Sequence, residues 1–155
     1  MKLFCLLVVE DNPADAELLR QLLKTLNRPH EAYFAQDGVD ALDFLQCRGP
    51  YVDAPAPSLI LLDVNMPRMN GHELLARLKS DPELCVIPVI MLSASSSPHD
   101  IRKAYQAQAN CYVLKPTTTD RAQKFIRAVE AFWMDVVILP PCEDRPRRNA
   151  AIVRA

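Results

Sequence analysis

Residues 58–71 read SLILLDVNMPRMNG, and this stretch decides the fold. Leu59 to Leu62 are four consecutive aliphatic residues with no polar alternation, the mark of a short strand buried on both faces. The run stops on Asp63. Met66-Pro67 then makes a turn that Gly71 closes, and Leu74, Leu75 and Leu78 follow at helical spacing to about Lys79. A strand covered on both sides that feeds an amphipathic helix is the repeating unit of a parallel α/β sheet.

Working outward, the unit recurs four times. Leu3 to Val9 is a second unbroken apolar run, followed by Asn12 as a helix cap, Pro13 at the first helical position and Ala16, Leu19, Leu22 or Leu23 and Leu26 at helical spacing. Glu31 to Ala35 predicts a short strand, and Asp37 caps a helix to about Gln46. Downstream, Val86 to Leu92 is a buried strand whose Pro88, lacking a ladder donor, belongs at its start. Ser97 or Pro98 opens a helix to about Gln108, Cys111 to Leu114 is a fifth strand, and Thr118 or Thr119 caps a long helix reaching about Ile138. Five strands alternating with five helices predict a doubly wound, five-stranded parallel sheet with helices on both faces.

Composition removes several function classes. Three glycines, Gly38, Gly49 and Gly71, stand alone among 155 residues, so neither a dinucleotide fingerprint nor a phosphate-binding P-loop can be assembled. The net charge of −1 gives no global reason to expect nucleic acid or an anionic membrane as partner. Five dispersed cysteines without CxxC spacing argue against a disulfide framework or zinc site and fit a reducing cytoplasm. The apolar start is too short for a signal or membrane segment. His30, His72 and His99 are unpaired in sequence and read as plain surface residues.

Ligands of doubly wound sheets bind beyond the carboxyl ends of the strands. Those ends carry Glu10 and Asp11, Asp63, Ser93 and Lys115. Taken singly, Glu10-Asp11 would offset a helix dipole, Asp63 would be a turn residue and Lys115 a solvated lysine. Together they differ. Three converging carboxylates repel one another unless a cation sits among them, and a hard divalent ion with oxygen ligands suits that set. Lysine and serine supply a charge and a donor for the oxygens of a phosphoryl group. This is equipment for phosphoryl transfer to a carboxylate by positioning and charge neutralisation.

The segments VVEDNPADAELL, LILLDVNMPRMNGHELL, VIMLSAS and CYVLKP occur in this order, and through them the chain resembles the response-regulator receiver domains over about Lys2 to Leu139. The resemblance implies the flavodoxin-like (βα)5 receiver fold. It implies Asp63 as phosphoacceptor, with Glu10, Asp11, Asp63 and the backbone carbonyl of Asn65 around Mg2+, for which Mn2+ or Ca2+ could substitute. It also implies Ser93 as the switch hydroxyl, Lys115 as its cationic partner and Tyr112 as the rotating aromatic of the switch. Asn65 and Ser95 would flank the approach of hydrolytic water.

The expected organisation is a receiver over 1–139 and a Pro/Arg-rich, disordered tail over 140–155, hence a stand-alone regulator whose output is a protein contact rather than a DNA-binding or catalytic domain. The last helix carries more apolar residues than one core stripe needs, which makes Phe132, Trp133, Val137 and Ile138 candidates for a dimer interface. That helix, with AYQAQANCYVLKP before it, is similar to small regulators paired with bacterial phytochrome histidine kinases. The similarity implies such a kinase as phosphodonor and a homodimer through the face of helix four, strand five and helix five. An intermediate phosphorelay carrier and a non-phosphorylated pseudo-receiver are the alternatives. An aspartyl-nucleophile hydrolase fits less well, because its D-x-D pattern belongs on the first strand, and Asp63-Val64-Asn65 lies on the third without the second acid. No role is read for the loop from Gly49 to Pro57.

Overall fold

The computed structural model describes residues 3–141. Its sheet has five parallel strands, β1 (Phe4–Val9), β2 (His30–Ala35), β3 (Leu59–Asp63), β4 (Val89–Ser93) and β5 (Cys111–Leu114), in the order β2-β1-β3-β4-β5. The intervening helices are α1 (Pro13–Leu23), α2 (Gly38–Leu45), α3 (Gly71–Ser80), α4 (Pro98–Gln106) and α5 (Thr119–Ala128). The order reverses direction between β1 and β3, which opens a crevice above those two strands.

Strand alternation sorts the core into two layers. Leu7, Val9, Ile60, Leu62, Val89 and Met91 pack with α2 and α3 on one face. Leu6, Val8, Leu59, Leu61, Ile90 and Leu92 pack with α1 and α5 on the other. Each fully buried aliphatic side chain contributes roughly 1.5–3 kcal/mol. The central strands therefore hold the site on the most rigid part of the molecule.

Side-chain caps fix four helix starts: Asn12 for α1, Asp37 for α2, Asn70 for α3 and Thr118 for α5. α4 differs. Its cap residue, Ser97, makes no side-chain capping bond, and Ala104 is its one buried residue.

Three expectations change, and one segment left unassigned gains a role. β4 begins at Val89 rather than Val86; residues 84–87 turn so that Leu84 and Ile87 enter the core while Val86 faces solvent. The final helix does not run as an α-helix to Ile138: regular α geometry ends at Ala128, and Val129–Met134 continues as a π-helical turn. The reason is tertiary contact. Glu130 accepts the Asn27 and Arg28 amides at 2.6 and 2.8 Å, Arg28 pairs with Asp135, and Trp133 packs on the α1/α5 core layer. The end of the helix is thereby held against its own domain. His72 is not a plain surface residue, since its Nδ1 is buried without a hydrogen-bond partner. The Gly49–Pro57 loop has a structural role: a 3-10 turn over Gly49–Tyr51 sets Tyr51 edge-on to Phe44, with its hydroxyl donating to Asp40 at 2.7 Å. The expected disorder of the tail falls, beyond Pro141, outside the described residues.

Gly71 sits where no side chain fits. A Cβ there would lie 2.4 Å from the Asp63 carbonyl oxygen and 2.8 Å from Val64 Cα, both backbone atoms. Gly71→Ala should therefore destabilise the fold by about 1–3 kcal/mol, the usual cost of overpacking a rigid site. Urea unfolding checks this; an unchanged midpoint would show that the acceptor loop yields freely.

Candidate functional site

The site lies at the carboxyl ends of β1, β3, β4 and β5, where backbone bonds extend the parallel ladders. Glu10 N donates to Ala35 O at 3.0 Å, Val64 N to Leu92 O at 3.0 Å, and Lys115 N to Ser93 O at 2.8 Å. These bonds hold the residues beside the strand ends in register. The loop after β3 is tied down as well. Gly71 N donates to Val64 O at 2.8 Å, Gly38 N donates to Met69 O at 3.2 Å, and Arg68 pairs at 2.6 Å with the buried carboxylate of Asp37.

Glu10 and Asp63 are buried and Asp11 is exposed; one carboxylate oxygen from each lies within 4.8 Å of the other two. Lys115 Nζ stands 3.0 and 3.1 Å from the two oxygens of Glu10, 3.0 Å from Asp15 and 3.4 Å from Asp63. Glu10 Oε1 also accepts the Asn12 amide at 3.1 Å. Glu10 Oε2 has the ammonium nearby but accepts no well-directed hydrogen bond.

Charge and burial oppose each other here. Burial is the largest influence on Glu10; it outweighs the hydrogen bond from Lys115 and, with the neighbouring Asp63 charge, pushes the Glu10 carboxyl up to about 7. Burial likewise raises Asp63 against the attraction of Lys115. Lys115 goes the other way. Burial disfavours its charge, but hydrogen bonds to Asp15 and Glu10, joined by the Asp63 charge, hold it above the ordinary lysine range. One cation is thus shared among three acids. A buried carboxylate oxygen without a directed donor, next to two further acids, is the donor set a hard divalent ion takes.

Ser93 is buried, and its Oγ accepts the Ser95 amide at 3.1 Å, which leaves the hydroxyl proton to donate elsewhere. Ser95 Oγ donates to Asp100 at 2.5 Å, and the Ser95 carbonyl accepts the Tyr112 hydroxyl at 2.7 Å. Asn65 is exposed on the loop two residues beyond Asp63.

Glu10, Asp11, Asp63 and Lys115, expected together from the sequence, are brought together; Ser93 ends the adjacent strand, and Tyr112 reaches the same rim through Ser95. Of the interface candidates, Phe132 is half-exposed, Val137 half-buried and Ile138 96% exposed, whereas Trp133 packs inward. Three participants were not read from the sequence. Asp15 lies in the first turn of α1, where it resembles an ordinary dipole-compensating acid. Asp37 looked like a cap alone, and Asp100 like a first-turn acid of α4.

Residues 6–127 match the response regulator receiver domain family. The chain is 40% identical over 135 residues to response regulator Rcp1 of Synechocystis sp., covering 87% of this chain and 92% of Rcp1. The structure of Rcp1 with Mn2+ bound superposes with a TM-score of 0.82 at 39% identity, covering 88% of this chain and 99% of that one. The phosphorylated cyanobacterial phytochrome response regulator RcpA superposes at 0.85 with 38% identity, covering 90% and 99%. Receivers use Mg2+ or Mn2+ at an acidic pocket of this kind, and the Glu10, Asp11 and Asp63 cluster fits it.

The raised Glu10 carboxyl has a consequence for stability. The folded state holds this proton more tightly than the unfolded chain, whose glutamate keeps its ordinary value of 4.5. Its contribution is therefore complete below about 4.5 and is lost as pH rises through about 7. Without metal, the melting temperature of the wild type should fall between pH 5 and 8 relative to Glu10→Gln. A divalent cation needs the ionised form, so added Mg2+ should raise the melting temperature more at pH 8 than at pH 5.5. Thermal unfolding at both pH values with and without Mg2+ checks both; equal shifts would remove Glu10 from the cation site.

Proposed function

This chain belongs to the response regulator receiver domain family, and on that premise we propose that Asp63 accepts a phosphoryl group from a sensor histidine kinase. The observation that carries the reading is the placement of the Asp63 carboxylate: buried at the end of the central strand β3, among two further acids, with Lys115 at 3.4 Å. In this reading Glu10, Asp11, Asp63 and the Asn65 carbonyl hold the divalent cation. When bound, it offsets the charge that would repel an incoming phosphoryl donor.

An Asp63 oxygen attacks phosphorus, forming the P–O bond as the P–N bond of phosphohistidine breaks. The leaving imidazole nitrogen keeps the electron pair and takes up a proton. Lys115 and the Ser93 hydroxyl then bind the phosphoryl oxygens. The Ser93 acceptor side is already occupied by the Ser95 amide, so its proton is free for this task. Movement there pulls on Ser95, whose carbonyl holds Tyr112, and so reaches the α4–β5 surface. Water later attacks phosphorus, releasing phosphate and restoring the carboxylate.

The relationship to RcpA favours a phytochrome-type kinase as donor, and the location is cytoplasmic in this reading. Among the described residues no helix is long and apolar enough to cross a membrane. We further propose that the active form is a homodimer through α4, β5 and α5. Tyr105 on α4 and Leu114 on β5 are exposed, and Phe132, Val136 and Ile138 extend apolar surface past the end of α5. Trp133 serves the core of its own domain in this arrangement.

Incubation with Mg2+ and acetyl phosphate should add one phosphate, seen by mass spectrometry, and Asp63→Asn should abolish it. Labelling of that variant at the full level would overturn the assignment. Phe132→Glu should shift the protein from dimer to monomer in light scattering while leaving the melting temperature nearly unchanged; an unaltered mass would exclude Phe132 from the interface.

A further inference from the structure

We infer that Asp15 is a positioning residue that holds Lys115 over the acidic pocket and competes with the phosphoryl group for it. The inference rests on the reading of Asp63 as phosphoacceptor and adds what controls the cation.

An ammonium has three N–H donors, and Lys115 has three carboxylates around it. Glu10 and Asp15 each approach to 3.0 Å, and Asp63 is the most distant at 3.4 Å. The cation therefore leans away from the residue it is to serve. Of its two nearer partners, Glu10 cannot readily release it: the Glu10 side chain is 1% exposed, and losing a counter-charge there strands a buried anion. Asp15 can. Its side chain is 43% exposed, so water replaces the lost ammonium at little cost.

Asp15 also lies outside the carboxylate cluster suited to a divalent ion. A cation among Glu10, Asp11 and Asp63 thus leaves the Asp15–Lys115 pair in place. Its position is firm because the Asp15 amide donates to the capping Asn12 side chain at 3.1 Å, on the first turn of α1. When phosphoryl oxygens appear on Asp63, Lys115 must exchange one carboxylate for them, and Asp15 is the partner it leaves. The strength of this half-exposed pair then sets how firmly the phosphorylated state is held.

Beryllofluoride, a phosphoryl mimic that binds an aspartate carboxylate, gives an equilibrium test by calorimetry at saturating Mg2+. Asp15→Asn should tighten its binding by about 2- to 5-fold, the range expected for loss of an exposed ion pair. In a Lys115→Met background the same substitution should change affinity by less than about 1.5-fold, because the competitor acts only through the lysine. In metal-free protein, the ammonium signal of Lys115 in nitrogen NMR should shift and exchange faster in Asp15→Asn. Equal tightening in both backgrounds would make Asp15 a bulk charge, and no tightening in either would remove it from control of Lys115; both overturn the inference. Failure of the wild type to bind beryllofluoride with Mg2+ would instead overturn the role of Asp63, and the NMR comparison would still decide whether Asp15 holds Lys115.

Discussion

Everything at the rim of this sheet follows from carboxylates crowded around one ammonium ion. Glu10 and Asp63 are both buried, with oxygens no more than 4.8 Å apart. At an effective dielectric constant of about 20, two full charges at that distance repel by roughly 3–4 kcal/mol. Burial and, behind it, the Asp63 charge raise the Glu10 carboxyl despite the hydrogen bond from Lys115. Acids crowded in this way around one ammonium favour uptake of a divalent cation. The fold bears this strain because β1 and β3 are central strands, covered on both faces by aliphatic side chains.

The carboxylates and the backbone around them solve different problems. Side chains supply charge, while glycine and a salt bridge supply shape. Gly71 lets the chain pass against the Asp63 carbonyl, and Gly38 lets the start of α2 approach Met69. Arg68, in a left-handed conformation, reaches across to Asp37. The loop beyond the acceptor strand is thus fastened at both ends, and motion in response to chemistry is directed elsewhere.

The sequence showed the fold and the four charged residues of the pocket because both depend on local pattern. Uninterrupted aliphatic runs announce buried strands, and the polar residue ending each run lies at the rim by topology. What it hid depends on tertiary partners. Asp15, Asp37 and Asp100 each occupy a cap or first-turn position that an acid fills for purely local reasons, so their second partners, Lys115, Arg68 and Ser95, left no trace. The end of α5 was misread for a related reason. Its apolar spacing is continuous through Trp133, but Glu130 satisfies the Asn27 and Arg28 amides and Arg28 holds Asp135, and these contacts select a π-helical turn that periodicity cannot show.

The remaining freedom is concentrated in α4. This helix buries one residue, Ala104, and has no side-chain cap. Asp100, which could have capped it, is bonded to Ser95 instead. Ser95 is therefore the joint of the assembly: its amide is held by Ser93, its hydroxyl by Asp100 and its carbonyl by Tyr112. Any rotation of Ser95 must alter all three contacts together. Because α4 has little core to keep it in place, that rotation meets less resistance there than from the helices packed on β1 and β3. A change of charge at Asp63 that repositions Ser93 would thus be felt first at the start of α4 and at Tyr112, on the side of the molecule where Tyr105 and Leu114 are exposed.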